Sequence, residues 1–417
     1  MPTEVESKQL EHPVRVTERR WCRASLACIR ANGGVVGAVA ITAVLYGIVV
    51  SARLAYGQWD PTYFIVAGRL LYDQSRSPQH VIVLSRDGYD GQYCYGLALD
   101  PLTKERERYG ITVDNISYRG QRILYPVLAH LLGLGRIGWV PWSLIVVNYL
   151  AVCWLAFSAA RLAELFALPA IYGLAIPFLP GVIMGLARDL SDPLALSLMV
   201  FSLLLLHSRR IIPAAAVMAL AVLARETVVL LAGALFIHSV WLSWQKRSTW
   251  SQSSLFAIPL ATYAAWQLCL RVRWGHFGLV GGNANLGRVP LTSLISFVVQ
   301  AAHFPRGLPI AQFMQRLFLV GELLFLGEMV ILAAIVSVRS PVDPGVKLAW
   351  LFYFVLAVCL SEIVWVEDWA FMRGCGEMLA LGIVILMGAR DRRFLSISLV
   401  STIAVWLVLA ARTMSQQ

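Results

Sequence analysis

GGVVGAVAITAVLYGIVVSARL, residues 33–54, decides the fold class. At 1.5 Å per residue the run is long enough to cross a ~30 Å hydrocarbon core. A cleaved signal peptide has a shorter apolar core and a small-residue cleavage site, so this run reads as an uncleaved anchor. Residues 1–32 before it are polar and carry Lys8, Arg15, Arg19, Arg20, Arg23 and Arg30, which predicts a disordered basic cytoplasmic tail. A hydrophilic stretch, 55–139, follows it. Apolar segments then recur at 140–161, 169–187, 193–207, 211–224, 227–244, 255–271, 316–338, 347–366, 375–389 and 394–411. The pattern predicts an all-α polytopic membrane helical bundle of about eleven transmembrane helices. It forms one integral membrane domain, 33–417, with a long first extracytoplasmic loop. The segments 211–224 and 227–244 are short, and read as a hairpin turning at Arg225-Glu226.

Composition agrees with this reading. Of 417 residues, 58% are hydrophobic and only 14% charged. A soluble domain is about a quarter charged, so the balance argues against a soluble enzyme, a disordered chain or a disulfide scaffold. The net charge of +11 comes from basic residues clustered in short gaps between apolar runs. That is positive-inside patterning, and it places the N-terminus inside. Such loops suit anionic lipid headgroups. With no nucleic-acid motif in the chain, no nucleic-acid partner is expected. The seven cysteines form no CxxC pair, and no HExxH pattern occurs, so neither a disulfide framework nor a zinc site is expected.

The first outer loop carries the most chemistry. It reads QWDPTYFIVAGRLLYDQ (58–74), RDGYDGQYCYGLALDP (86–101) and DNISYRGQRILYPVLAHLLGLG (114–135). Three short apolar stretches, 62–72, 92–99 and 122–135, are too short to span. Edged by aromatics and arginine, they read as interfacial helices. A long acidic outer loop of this kind, followed by some ten spans, resembles the GT-C superfamily of membrane glycosyltransferases. The YDGQ and QRILYP strings resemble mannosyltransferase-like bacterial members. RDLSDP (188–193), ARET (224–227) and the Arg373 region are weaker echoes.

The resemblance implies an enzyme of the bacterial inner membrane. Such enzymes take a sugar from a polyprenyl-phosphate carrier and pass it to a glycan, lipid or protein acceptor on the outer face. An acidic residue just past the first span serves as general base on the acceptor hydroxyl. By position that residue is Asp60. The common Asp-Glu or Asp-Asp pair is missing here, because Pro61 follows, and this makes Asp90 the rival. Arg373 matches the late-loop arginine that meets the carrier phosphate.

Each candidate also has a plainer reading. Asp60 before Pro61 is a helix N-cap signal, and capping and catalysis are not exclusive. Asp90 before Gly91 is a turn signal. Beside it, Gln92 and Tyr93 are placed to pack a sugar and orient its hydroxyls. Arg119, Gln121 and Arg122 suit a lipid phosphate, or equally an interfacial helix whose arginines snorkel. Arg188 and Asp189, with Asp192, read as a structural ion pair and cap or as site residues. Arg225 and Glu226 interrupt an apolar stretch, which is costly at membrane depth unless the charges pair or line a cavity. No resident cofactor is called for, although Asp60, Asp90 and phosphate suffice to hold a divalent cation. The glycine-rich VGGNANLG (280–287) lacks a phosphate loop's lysine, and reads as a flexible outer loop over a substrate. The competing functional readings are a lipid-linked substrate transporter or flippase, and a non-catalytic membrane assembly protein.

Overall fold

The computed structural model describes residues 14–305 and 307–415. Its helices are α1 (Val14–Tyr56), α2 (Gly91–Leu99), α3 (Ile116–Arg119), α4 (Leu124–Leu132), α5 (Val140–Leu165), α6 (Pro180–Ala187), α7 (Asp192–His207), α8 (Ile211–Ala224), α9 (Val229–Trp244), α10 (Trp250–Trp274), α11 (Gly278–Gly281), α12 (Thr292–Ala302), α13 (Ile310–Ser337), α14 (Pro344–Val358), α15 (Glu362–Val366), α16 (Asp368–Gly374), α17 (Gly376–Ala389) and α18 (Arg392–Ser415). Two small two-stranded pairs complete it. β1 (Ala67–Gly68) runs parallel to β2 (Val83–Ser85), and β3 (Glu107–Arg108) antiparallel to β4 (Ile111–Thr112). The chain is an all-α bundle, as its hydropathy pattern requires.

The apolar helices fall into two lengths. Among the described residues, six segments are long and apolar enough to cross a membrane: 33–56, 137–165, 226–244, 250–274, 310–337 and 392–414. Helices α7, α8, α14 and α17 are shorter, at 14 to 16 residues, or roughly 21–24 Å. The expected span 169–187 is not one continuous helix. It is a 3-10 turn, Ala170–Ala175, followed by the eight residues of α6. Pro177 and Pro180 remove backbone donors, and Leu179 before Pro180 is extended, at ψ 140°. Of the expected basic tail, residues 1–13 lie outside the described residues, whereas from Val14 onward the chain is already helical.

Packing runs in a closed circuit, from α1 to α5, α7, α8, α10, α9, α14, α17, α13, α18 and back to α1. Within it, α17 and the 170–187 segment are almost wholly buried. A Cβ on Gly173 would sit 2.5 Å from the Ala160 nitrogen, so only glycine lets this segment lie against α5. On the outside, large apolar residues such as Val44, Leu150, Ile331, Val338 and Val400 are exposed. A surface of this kind suits lipid rather than water.

Residues 57–136 cover one end of the bundle, called here the site end. Only two of the three expected interfacial helices form. Residues 62–72 make a 3-10 turn, Pro61–Phe64, and then β1, because Val66 adopts φ +53°, which no helix accommodates. α2 is buried rather than interfacial, and packs on α4 and α5.

Candidate functional site

The site begins with how α2 is seated. Gln92 is buried, and its side chain spans two backbone segments. Its Oε1 accepts from the Gly68 N–H at 3.1 Å, and its Nε2 donates to the Asp87 carbonyl at 3.1 Å. At Gly91 a Cβ would lie 2.2 Å from the Arg188 carbonyl oxygen. The absence of a side chain there lets α2 rest directly on the 188–191 turn, which places Asp90 over the buried ends of α6 and α7.

Asp90 occupies the N-cap position of α2 without making a side-chain cap. Its carboxylate turns to arginines instead. Oδ1 accepts from Arg119 Nη1 at 2.8 Å, Oδ2 accepts from Arg373 Nη2 at 3.0 Å, and Arg122 Nη1 lies 3.6 Å from Oδ2. Burial by itself raises the Asp90 carboxyl. Arg119, Arg373 and Arg122 outweigh it and hold the group well below the usual carboxylate range. Burial likewise opposes the charged forms of Arg119 and Arg373, yet the carboxylates around them leave both firmly protonated.

Each arginine has a second anchor. Arg119 donates through Nε and Nη2 to Asp114, at 3.0 and 2.7 Å, and lies 4.1 Å over the Tyr93 ring. Arg122 makes a two-pronged pair with Glu226, at 2.9 and 2.6 Å. Arg373 Nε is 3.4 Å from Asp192, a carboxylate that also takes Arg225. Arg225 Nε is 3.2 Å from Glu377, and Glu377 also accepts from Thr227. The result is one ionic chain linking the 57–136 segment, α7, the α8–α9 turn, α16 and α17.

This chain lines one side of a cavity of about 510 Å³, with Tyr89, Asp90, Tyr118, Arg119, Gln121, Arg122, Arg225, Glu226, Thr227, Glu367 and Arg373 on the polar side. Gln121 is buried and fixed by Tyr263 and Gln267. The lining also includes apolar residues, Leu279, Leu286, Leu356, Leu360, Ile363 and Val364, together with Asn283 and Asn285. The glycine-rich 280–287 stretch contributes to this part of the lining, where Asn285 Nδ2 donates to the Tyr118 hydroxyl at 2.9 Å.

No protein-family model matches the chain, and no curated protein sequence matches it. The residues themselves therefore carry the functional reading.

The structure sorts the sequence candidates. Asp90, Arg119, Gln121, Arg122, Arg225, Glu226 and Arg373 meet at the cavity. Asp60 does not line it. Its Oδ1 caps the Pro61–Phe64 turn by accepting from Thr62 N at 2.9 Å, and its Oδ2 faces His80 at 3.9 Å. A cation shared between Asp60 and Asp90 has no such meeting point, and among the described residues no group of three His, Cys, Asp or Glu is placed to hold a metal. Gln92 and Tyr93 stand behind the cavity, the first as a backbone clamp and the second as a platform under Arg119. Arg188 is sandwiched between the rings of Tyr89 (4.3 Å) and Trp369 (3.8 Å). Asp189 is wholly buried at φ +49°, and burial pushes its carboxyl well above the usual range. Asp192 and Glu377 complete the ionic chain. Sequence reasoning left Asp192 open between a structural part and a site role, and passed over Glu377.

Proposed function

We propose that this chain is a membrane glycosyltransferase, using a polyprenyl-phosphate sugar as donor and a hydroxyl on the extracytoplasmic side as acceptor. One observation carries the reading: a carboxylate held between two guanidiniums lines a cavity that leucine, isoleucine and valine side chains line as well. A phosphate-linked lipid needs both surfaces at once. Arginine forks suit its phosphate oxygens, and the leucine wall suits the first part of its chain. The site end is then extracytoplasmic and the N-terminus cytoplasmic, as the distribution of basic residues favours. The proposed location, following the resemblance, is a bacterial inner membrane.

In this reading the acceptor oxygen attacks the anomeric carbon as the carbon–oxygen bond to phosphate breaks. The hydroxyl proton goes to Asp90, and the bonding electrons leave with the polyprenyl phosphate. Asp90 is a weak base while its arginines hold it, since a base works best with a pKa near the operating pH. A donor phosphate that draws Arg119 and Arg373 toward itself restores the basicity of Asp90 and stabilises the leaving charge in one movement.

The test is mass spectrometry of lipid-linked sugars and envelope glycans in cells carrying either the wild-type chain or Asp90→Asn at equal membrane abundance. The expected result is loss of one glycan, with its lipid-linked donor accumulating on the outer leaflet. Retention of that glycan in Asp90→Asn would overturn the assignment.

A flippase is the second reading. It draws on a cavity of about 670 Å³ at the opposite ends of α7 and α9, which includes His207, His238 and Asp343. Between the two cavities α7 is packed with buried Ser197, Met199 and Val200, which favours the transferase. Donor accumulating on the inner leaflet of Asp90→Asn cells would favour the flippase.

A further inference from the structure

Helix α12 lies in the segment between α10 and α13 and has no part in the reaction proposed above. Its sequence, TSLISFVVQAA, carries no charged residue. At 11 residues it is about 17 Å long, too short to cross a ~30 Å hydrocarbon core. Successive side chains turn by about 100° around a helix, and on that wheel those of α12 sort into three sectors. Leu294, Phe297 and Ala301 occupy the first. Phe297 and Ala301 are buried, and the Phe297 ring meets those of Trp365 at 6.1 Å and Phe371 at 5.5 Å. Thr292, Ser293, Ser296 and Gln300 make a polar second sector, of which Thr292, Ser296 and Gln300 are exposed. Ile295, Val298, Val299 and Ala302 make the third, and all four are exposed, Ile295 by 58% and Val299 by 64%. Protein covers the first sector and water suits the second. The third calls for an apolar partner outside the chain.

The register of α12 against α13 says which partner fits. Arg316 Nη1 donates to the Gln300 carbonyl at 2.9 Å, and also to the carbonyl of His303, so it caps the end of α12 from the second turn of α13. α13 has 28 residues, or about 42 Å, against a core of ~30 Å. A core of about 20 residues counted back from Ser337 ends near Phe318. Arg316 therefore stands at the edge of the core, and it holds α12 there. Phe304, just past α12, meets Phe313 of α13 at 5.5 Å. Both are exposed, as are Ile310, Met314 and Leu317 on the same two turns of α13.

We propose that α12 is an interfacial helix seated in the leaflet at the site end. Its Ile295, Val298, Val299 and Ala302 face lies among the first acyl carbons, and its Thr292, Ser296 and Gln300 face lies in the headgroup layer. The inference rests on the apolar helices crossing a bilayer and is independent of sugar transfer. It bears on the candidate site through two contacts. α12 follows the 279–286 stretch, which supplies part of the cavity lining, and Phe297 packs on Phe371, two residues from Arg373. Lipid against the outer face of α12 thus braces that side of the cavity.

Photocrosslinking of the full chain tests this. A benzophenone amino acid takes the place of Ile295, Val298 or Gln300, one position at a time, and each protein is irradiated in nanodiscs of phosphatidylethanolamine and phosphatidylglycerol. Leu324, exposed on α13 within a candidate span, is the reference for lipid contact. Mass spectrometry reads the lipid adducts and the acyl carbons that bear them. Positions 295 and 298 are expected to give acyl-chain adducts at close to the yield of position 324. Position 300, about 140° round the helix from 295, should give several-fold less. Crosslinks from 295 to a second protein chain in place of lipid would overturn the proposal. So would yields at 295 and 298 no higher than at 300 while 324 is labelled, a result that leaves the membrane reading of α13 standing. Absence of adducts at 324 as well would defeat that reading, and this inference with it.

Discussion

Removing the charge of Asp90 should weaken the site unevenly, and the structure says where. In Asp90→Asn, Arg119 keeps both oxygens of Asp114, and Arg122 keeps both oxygens of Glu226. Arg373 has no comparable reserve. Its remaining carboxylate, Asp192, is 3.4 Å away and already engaged by Arg225. Its Nε and Nη1 find no hydrogen-bond partner among the described residues. Breaking a buried ion pair costs about 3–5 kcal/mol. Asp90 retains 22% exposure, and asparagine still accepts a hydrogen bond, so the expected loss is about 2–3 kcal/mol. Double-mutant cycles divide that loss. The Asp90–Arg373 coupling should reach about 1–2 kcal/mol, while Asp90–Arg119 should stay below about 1 kcal/mol. Denaturant unfolding in mixed micelles, followed by tryptophan fluorescence, measures both. Equal couplings, or a loss under about 0.5 kcal/mol in Asp90→Asn, would refute the argument that Asp90 is the principal partner of Arg373.

Three further outcomes follow from the same geometry. Against the raising effect of burial, arginines hold the folded carboxyls of Asp90 and Asp114 below the ordinary value of about 3.9; their stabilisation is therefore complete at neutral pH and is lost as pH falls below about 4 toward the folded values, where the unfolded chain binds more protons. Melting curves across that acid range should fall less steeply for Asp90→Asn than for wild type. Gln92→Ala leaves the buried Gly68 N–H and Asp87 carbonyl without their partner, at a cost of about 1–3 kcal/mol, and amide exchange at Gly68 should accelerate. Asp60→Asn keeps the cap and should be nearly neutral, whereas Asp60→Ala should cost about 1 kcal/mol; in the glycan assay neither should behave like Asp90→Asn.

The parts of this protein that were legible in sequence are those governed by local rules. The anchor 33–54, the Asp60-Pro61 cap and the all-α class follow from hydropathy, helical rise and capping chemistry. The breaks in 169–187 carried a signal too, because Pro177 and Pro180 were visible there; hydropathy alone overrode them. The ionic chain was not legible in the same way. Arg225 and Glu226 are neighbours and look like a pair, yet they face different partners. Glu226 takes Arg122, 104 residues away, and Arg225 takes Asp192 and Glu377. Asp90 meets Arg373 across 283 residues. A sequence shows that a buried charge needs a partner, but with several arginines on offer only the packing of α2 on the 188–191 turn chooses which one.

The charge balance of the cavity bears on how an anion could enter it. Arg119, Arg122, Arg225 and Arg373 are matched by Asp90, Asp114, Asp192, Glu226 and Glu377. Four guanidiniums against these five carboxylates, with Glu367 in the cavity lining as a sixth acid, do not make an electrostatic trap for phosphate. An incoming phosphate gains its arginines only by exchange with a carboxylate already there. Asp90 is the carboxylate best placed for that exchange, since it shares each of its arginines with a second acid. Asp114, Asp192 and Glu226 therefore keep those arginines in position while Asp90 is released. In the proposed reaction the acceptor proton neutralises Asp90 as charge develops on the departing phosphate, and Arg119 and Arg373 pass from one to the other. The total charge of the cavity stays constant through the step, so little of the surrounding ionic chain has to rearrange. In the proposed reaction, affinity for the donor then comes from the leucine-containing lining rather than from its phosphate, and for that reason the proposal names a lipid-borne substrate and not a soluble sugar phosphate.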